Sequence, residues 1–327
     1  MLPHNTFGIE AVAARFVEFS SKEDIISYLK NGFYGRPLVV GGGSNLLFVR
    51  DFGGTVFHSL IKSYEVVAEN DNEVFLRVGS GVNWDELVAY TVENGWHGLE
   101  NLSAIPGEVG ASAVQNVGAY GVEAGELIAK VETVRIYDAL CQEFSQVECC
   151  FAYRHSVFKA AEKGRHIITH VTYRLLKNAP FKLTYGNLSE KVDMLGGATL
   201  ATVRKAVCEI REAKLPNPEN IGSAGSFFMN PVVPVSVSDA IAERYPEMPR
   251  YPLPSGDVKL SAGWLIEKCG WKATPHEHVG VYEHQALVVI NRGGATGKDV
   301  LDFASAVVAS VKEKFGVELN MEVNVIE

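Results

Sequence analysis

The sequence predicts an α+β fold in more than one domain, and three observations carry that expectation. Strand-like and helix-like periods both recur: apolar alternation marks residues 64–68 and 74–78, whereas Val203, Val207 and Ile210 form a stripe at helical spacing. The glycine run Gly41-Gly42-Gly43-Ser44-Asn45 follows a buried strand but leads into Leu46-Leu47-Phe48-Val49, a second strand. A dinucleotide fingerprint would open a helix there, so the run argues against a Rossmann fold. Finally, 327 residues exceed the usual size of one core, and Leu215-Pro216-Asn217-Pro218 breaks the chain just after a helix, which marks the main boundary.

The elements follow in order. After an extended Asn5-Thr6-Phe7-Gly8 entry, residues 21–30 read as a helix, with Ser20 or Ser21 as cap, Glu23 and Asp24 in the first turn and Gly32 beyond the end. Pro37-Leu38-Val39-Val40 is a strand that delivers the glycine run, whose N–H groups could wrap a diphosphate as a nest; the bland alternative is a hairpin turn. Asp51-Phe52-Gly53-Gly54 reads as the turn that bounds the next strand. Asn83 caps a helix over 84–94, closed by Gly95. Residues 98–125 hold six glycines among Ser103, Ser112, Gln115 and Asn116, and read as a long functional loop. Its content suits a flat, polar-edged ring, with Ile105 and Val109 as apolar faces. Strands are expected at 131–137 and 167–176, helices at 199–213, 261–268 and 296–315, and strands at 286–290 and 317–326.

Composition narrows the function. The chain is 47% hydrophobic and 21% charged, and no apolar run approaches the length of a membrane span. Its start has neither a basic nor an apolar leader segment, so a cytoplasmic protein without membrane partners is expected. Five cysteines include the vicinal pair Cys149-Cys150 and form no CxxC, which indicates neither a disulfide framework nor a zinc cage. A formal charge of −9 works against nucleic acid as a partner, although local Lys and Arg can still meet a phosphate-bearing small ligand.

Two places read as chemistry. In Gly222-Ser223-Ala224-Gly225-Ser226-Phe227-Phe228-Met229-Asn230-Pro231, Gly225 permits a bend, Ser226 presents a hydroxyl and the phenylalanines anchor the turn; an ordinary strand-entry turn is the alternative. Arg154, flanked by aromatic residues, must find an anion, either in a structural salt bridge or in a ligand carboxylate. Three other features read as decoys. Gly293-Gly294-Ala295-Thr296-Gly297-Lys298 lacks the Ser/Thr and spacing of a phosphate loop. His276-Glu277-His278 with Glu283-His284 lacks helical His spacing, so no metal site is expected. Trp264 and Trp271 suit a core better than a stacking platform.

Taken together, the ordered motifs resemble the UDP-N-acetylenolpyruvoylglucosamine reductase family. They are Asn5-Thr6-Phe7-Gly8, the run from Gly41 to Leu46, Ile105-Pro106-Gly107, Gln115-Asn116, Gly118-Ala119-Tyr120-Gly121, Tyr153-Arg154, Gly225-Ser226-Phe227-Phe228, Ser261-Ala262-Gly263-Trp264-Leu265-Ile266-Glu267 and Glu322-Val323. Leu183-Thr184-Tyr185-Gly186-Asn187-Leu188 resembles the branch in which a tyrosine loop covers the substrate. The resemblance implies a two-lobed FAD-binding domain of the vanillyl-alcohol-oxidase type plus a C-terminal α+β substrate domain. The implied divisions are 1–58 joined by 316–327, then 59–215, then 216–315. It also implies a monomeric enzyme of peptidoglycan precursor synthesis, in which NADPH reduces FAD and UDP-N-acetylglucosamine enolpyruvate is reduced to UDP-N-acetylmuramate.

By the same resemblance, Arg154 grips and polarises the substrate carboxylate with help from Glu322, and Ser226 donates the proton. FAD falls to Gly41, Gly42, Gly43, Ser44, Asn45, Leu46, Ile105, Pro106, Gly107, Gly110, Ser112, Gln115, Asn116 and Gly118; the substrate falls to Tyr185, Lys214, Asn230, Tyr251, Lys272 and Gln285. Two positions depart from the pattern: His155 stands where Asp is common, and Asn324 where some members carry Arg. The competing readings are another flavin oxidase or dehydrogenase on the same fold, acting on an alcohol or hydroxy acid, and a nucleotide-sugar or flavin-binding module without turnover.

Overall fold

The computed structural model describes residues 1–273 and 277–327; His276 of the His/Glu cluster therefore lies outside the described residues. The chain forms two compact units. One comprises Ala13–Gly42 and Gly53–Arg211, and the other Met1–Val12, Gly43–Phe52 and Glu212–Glu327. Both mix helices with largely antiparallel sheets, in keeping with the α+β expectation.

In the first unit the main sheet is five-stranded, in the order Cys141–Ser145, Ile128–Arg135, His166–Leu176, Glu73–Gly79, Tyr64–Glu69, with antiparallel neighbours throughout. Alternate residues Leu76, Val78, Val131, Val171, Tyr173 and Leu175 point into one core and meet Trp84, Leu87 and Val88 from the helix Trp84–Glu93. That helix starts where the sequence puts it, because Asn83 Oδ1 accepts from the N–H groups of Asp85 (2.9 Å) and Glu86 (3.1 Å). A smaller sheet orders Ala13–Phe19, Phe52–Ser59 and Pro37–Val40, the last two parallel. The helix Lys22–Lys30 packs Ile25 and Leu29 into a second core with Phe19 and Phe57.

In the second unit Gly222–Ser226, Gln285–Asn291 and Val279–Tyr282 form an antiparallel sheet. The helices Ala262–Lys268 and Gly297–Phe315 contribute Leu265, Ile266, Val300, Val307 and Val311 to a core that also takes Phe7, Phe227 and Phe228. The long helix carries the expected Thr296/Asp299 capping box and ends on Gly316 at φ +68°. Residues 293–296 lead into it, and Gly297 and Lys298 are its first helical residues. Trp264 and Trp271 pack against the core, Trp271 edge-on to Phe303.

Several expectations need correction. Residues 98–125 are not one loop: they contain the helix Val109–Gln115 and the tight hairpin of Gly118–Ala119 with Val122–Glu123. Gly98, Gly110, Gly118 and Gly125 serve close packing there, a Cβ on Gly110 lying 3.0 Å from that of Ser80, whereas Gly121 has open space and stands at φ +79°. Asp51-Phe52-Gly53-Gly54 is not a turn, for Phe52–Ser59 is a continuous strand in which Thr55 to Ser59 are all buried. The last strand is only Asn324–Ile326, which pairs in parallel with Leu46–Phe48. Upstream of it, Met321 makes an isolated bridge to Phe228 and Glu322 bonds Phe227, so these residues pair with the strand end rather than extend a ladder. The helices Leu188–Met194 and Val235–Arg244 were not expected.

Candidate active site

The serine motif is built by a bulge. Ser223 pairs with Ile290 but Ser226 pairs with Val288, so one extra residue is accommodated between them. Gly225 stands at φ +67° with nothing within 4 Å of where a Cβ would be; glycine is required by the backbone angle and not by crowding. The bulge turns Ser226 while Phe227 and Phe228, both fully buried, hold the chain just beyond the bend in place. Phe227 N–H donates to Leu287 O (2.8 Å), and its own carbonyl accepts from Glu322 N–H (2.8 Å). That bond lays Glu322, 8% exposed, against the residue next to Ser226. The remaining tie comes from the glycine run. Asn45 Nδ2 donates to Glu322 O (3.3 Å), and Asn324 N–H (3.0 Å) and Nδ2 (3.3 Å) donate to Asn45 O. Asn324, one of the two departures, is thus spent on holding Asn45. Residues 5–8 are not extended as expected but form a turn closed by Gly8 N–H to Asn5 O (2.9 Å), and from it Thr6 bonds both Ser223 O (2.6 Å) and Gly43 O (3.3 Å from its N–H).

Of the expected substrate residues in this unit, Asn230 accepts from Ala262 N–H (3.0 Å) at the start of Ala262–Lys268, and Gln285 accepts from Leu287 N–H (3.3 Å). Lys272 pairs with Glu267 (3.4 Å), whereas Lys214 and Tyr251 are exposed. A cleft of about 710 Å³ is lined by Phe7, Gly222, Lys272, Tyr282, Asn291 and Arg292, among others. It opens at the Gly222 end of the strand, away from Ser226, and Lys272 is the only one of the expected site residues in its lining.

The other unit holds the second glycine segment and Arg154. A Cβ on Gly42 would meet Gly107 Cα at 3.6 Å, and one on Gly41 would come within 3.1 Å of Glu108 Oε2. The two segments expected to hold FAD therefore run beside each other: Gly42 meets only backbone, which suits a diphosphate, while the Glu108 side chain packs on Gly41. Ile105 is half-buried and Pro106 exposed at the rim. Glu108 is held there by His58, whose Nε2 lies 2.9 Å from its carboxylate while Nδ1 lies 3.0 Å from Glu18. Burial pulls the His58 pKa down, but the two carboxylates more than offset it and leave the group above its ordinary value. Ser112 is buried and bonded to Val109 O (2.7 Å) and Tyr173 OH (2.8 Å), and Gln115 is half-buried at the end of the same helix.

Arg154 sits at φ +54° in the turn closed by reciprocal hydrogen bonds between Ala152 and His155 (3.1 and 2.9 Å). Its Nη2 donates to Gly118 O (3.0 Å) and its guanidinium lies 5.5 Å from the centre of the Tyr153 ring. His155, the second departure, is exposed and bonds Cys150 O (3.2 Å). Tyr185 is half exposed and meets Tyr120 edge-on at 5.8 Å. One residue that sequence reasoning missed joins this cluster. Arg211 donates from Nε to Ala104 O (3.1 Å); burial lowers its pKa first, with Tyr120, Cys208 and Asp85 acting against that and Arg154 adding to it. A readable signal existed, since Arg204 and Arg211 lie seven residues apart beside the Val203, Val207, Ile210 stripe.

Comparison with known proteins bears on the family of the whole chain. Residues 217–326 match the model of the UDP-N-acetylenolpyruvoylglucosamine reductase C-terminal domain, and residues 13–140 match an FAD binding domain. The UDP-N-acetylenolpyruvoylglucosamine reductase of Bacteroides fragilis is 47% identical over 327 residues, covering 100% of this chain and 98% of the relative. The chain belongs to the UDP-N-acetylenolpyruvoylglucosamine reductase family. The enzyme of that name from Amoebophilus asiaticus is 46% identical, covering 99% and 96% of the two chains. The crystal structure of the family member from Thermus caldophilus aligns with a TM-score of 0.69 at 22% identity, over 99% of this chain and 96% of that one, and shares the fold. Among the described residues no helix is long and apolar enough to cross a membrane.

Proposed function

We propose that this chain uses NADPH and FAD to reduce the enolpyruvyl group of UDP-N-acetylglucosamine enolpyruvate, giving UDP-N-acetylmuramate in peptidoglycan precursor synthesis. Family membership at 47% identity over the whole length supports the reaction. The observation that carries the assignment of residues is the Phe227–Glu322 backbone bond, which joins the serine motif to the glutamate across nearly a hundred residues of sequence. When bound, FAD supplies a carrier that accepts hydride from NADPH and passes it to a carbon acceptor. The seam between Gly41-Gly42 and Gly107, with Gly43, Ser44, Asn45 and Leu46, would hold it.

The protein's own work is to manage charge and a proton. Hydride addition to an enol ether leaves enolate character beside the carboxylate, so the residues must bind that carboxylate and then protonate the adjacent carbon. Arg154 suits the first task, because a guanidinium binds a carboxylate in two-point fashion and stays charged. Ser226 suits the second. A serine hydroxyl is a weak acid in water, yet an enolate held against it is basic enough to take its proton. Buried Glu322, tied at its own backbone, assists through a hydrogen bond. Tyr185, Lys214, Asn230, Tyr251, Lys272 and Gln285 hold the nucleotide sugar, the tyrosine loop closing over it. In this reading 1–58 with 316–327 and 59–215 serve FAD, 216–315 serves the substrate, and the enzyme works as a cytoplasmic monomer.

Replacement of Ser226 tests the reading. Ser226→Ala should keep FAD, keep NADPH oxidation to the reduced flavin and keep binding of the enolpyruvyl sugar, while turnover falls by roughly 10²–10⁴, the range of a lost general acid. Wild-type turnover in Ser226→Ala would refute the assignment.

A further inference from the structure

We propose that Asn116 acts as the positioning residue for Arg154 and makes no side-chain bond to the cofactor. The inference rests on Arg154 being the carboxylate-binding residue of the proposed reaction. Every polar group of the Asn116 side chain is already used inside the protein. Its Oδ1 accepts from Gly125 N–H (2.7 Å), and its two amide hydrogens go to Glu123 Oε2 (2.7 Å) and Ala152 O (2.9 Å). The residue is 1% exposed. An amide has two N–H donors, so none is left for a flavin.

What those bonds hold is the frame around Arg154. Ala152 O belongs to the four-residue turn in which Arg154 stands at φ +54°, a conformation that a non-glycine residue keeps only with outside support. Asn116 itself is left-handed, at φ +48°, an angle that asparagine tolerates better than most residues. The other end of the frame is the hairpin of Gly118–Ala119 with Val122–Glu123. Its Glu123 carboxylate orients the Asn116 amide, and its Gly118 carbonyl accepts from Arg154 Nη2 (3.0 Å). The guanidinium lies so close that a Cβ on Gly118 would be 3.2 Å from Nη1. Lys159 Nζ completes the support by donating to Arg154 O (3.3 Å). One buried amide thus ties the turn that carries Arg154 to the hairpin that receives its guanidinium.

Asn116→Asp preserves size and the acceptor for Gly125 N–H, but as a carboxylate it loses both donors and faces Glu123. In the holoenzyme, FAD content and the rate of flavin reduction by NADPH should stay within about twofold of wild type, while reoxidation by the enolpyruvyl sugar slows by about tenfold or more. Combined with Arg154→Ala, the same change should cost less than about threefold further, because the group it misplaces is already gone. Independently of any activity, amide hydrogen exchange at Ala152 and His155 should accelerate by about tenfold in the flavin-loaded, substrate-free protein. Glu123→Ala, on the hairpin, should give a weaker version of the same pattern and stands in if Asn116→Asp does not fold. The proposal is overturned by loss of FAD from the folded variant, by equal slowing of both half-reactions, by a full tenfold loss in the Arg154→Ala background, or by unchanged exchange at Ala152 and His155. A wild-type chain that oxidises no NADPH with the enolpyruvyl sugar would instead defeat the proposed function, and the exchange and FAD measurements would still decide this inference.

Discussion

Gly225→Ala separates the cost of a backbone angle from the cost of a misplaced hydroxyl. At φ +67° an L-residue is strained, and because nothing lies within 4 Å of the added Cβ, strain is the whole penalty. A left-handed alanine costs about 1–2 kcal/mol relative to glycine, which corresponds to roughly a 5- to 30-fold shift in the folding equilibrium of the unit that carries it. Chemical denaturation of the purified holoprotein measures this directly. Asparagine at 225 should cost about half as much, since its side chain tolerates the left-handed region. Function should suffer more than stability. If alanine relaxes toward negative φ, the bulge between Ser223 and Ser226 shifts and the hydroxyl turns away, so kcat should fall by about tenfold with little change in KM for NADPH. A stability loss above about 4 kcal/mol would refute the strain argument, because it would require a clash that the geometry does not contain. An unchanged kcat beside the expected stability loss would refute the link between the bulge and the Ser226 hydroxyl.

Two further outcomes follow from the charges around the glycine seam. His58 has a folded pKa above its ordinary 6.5, so its pairing with Glu108 and Glu18 stabilises fully below that value and fades as pH rises through the folded pKa. The stability advantage of wild type over His58→Gln, followed by denaturation across pH 5 to 9, should therefore shrink toward alkaline pH; a growing advantage would contradict it. Asp85 accepts two bonds from Arg204 (2.6 and 2.8 Å) and one from Ala104 N–H (2.6 Å), just before Ile105-Pro106-Gly107. Asp85→Asn should cost about 1–3 kcal/mol and speed FAD release, measured by dilution fluorescence; unaltered stability and release would count against it.

Much of the fold was legible because local signals and tertiary packing agree. Ser21, Asn83 and the Thr296/Asp299 pair begin helices where the residue types require it, and Val203, Val207 and Ile210 are buried as their spacing demands. The glycines of 98–125 were harder to read. Glycine lowers helix propensity, yet Gly110 sits in a helix because the backbone there presses on Ser80, a contact that no local window records. Gly53 and Gly54 misled in the same way, since the strand they occupy is fixed by its neighbours in the sheet.

The candidate site divides along similar lines. The bend at Gly225 could be read from residue type alone, because a turn at positive φ calls for glycine. Which groups meet at the site could not. The pairing of Phe227 with Glu322, the capture of Asn324 by Asn45 and the use of Asn116 to hold a turn all join residues distant in sequence. Arg211 escaped notice because an arginine near a helix end usually reads as a solvated charge.

The most direct test of the account is an anaerobic titration followed by visible absorption. The purified protein should show bound flavin, NADPH should bleach it, and one equivalent of UDP-N-acetylglucosamine enolpyruvate should restore the oxidised spectrum with formation of UDP-N-acetylmuramate. A protein that binds no flavin, or whose reduced flavin is reoxidised by oxygen but not by the enolpyruvyl sugar, would contradict it.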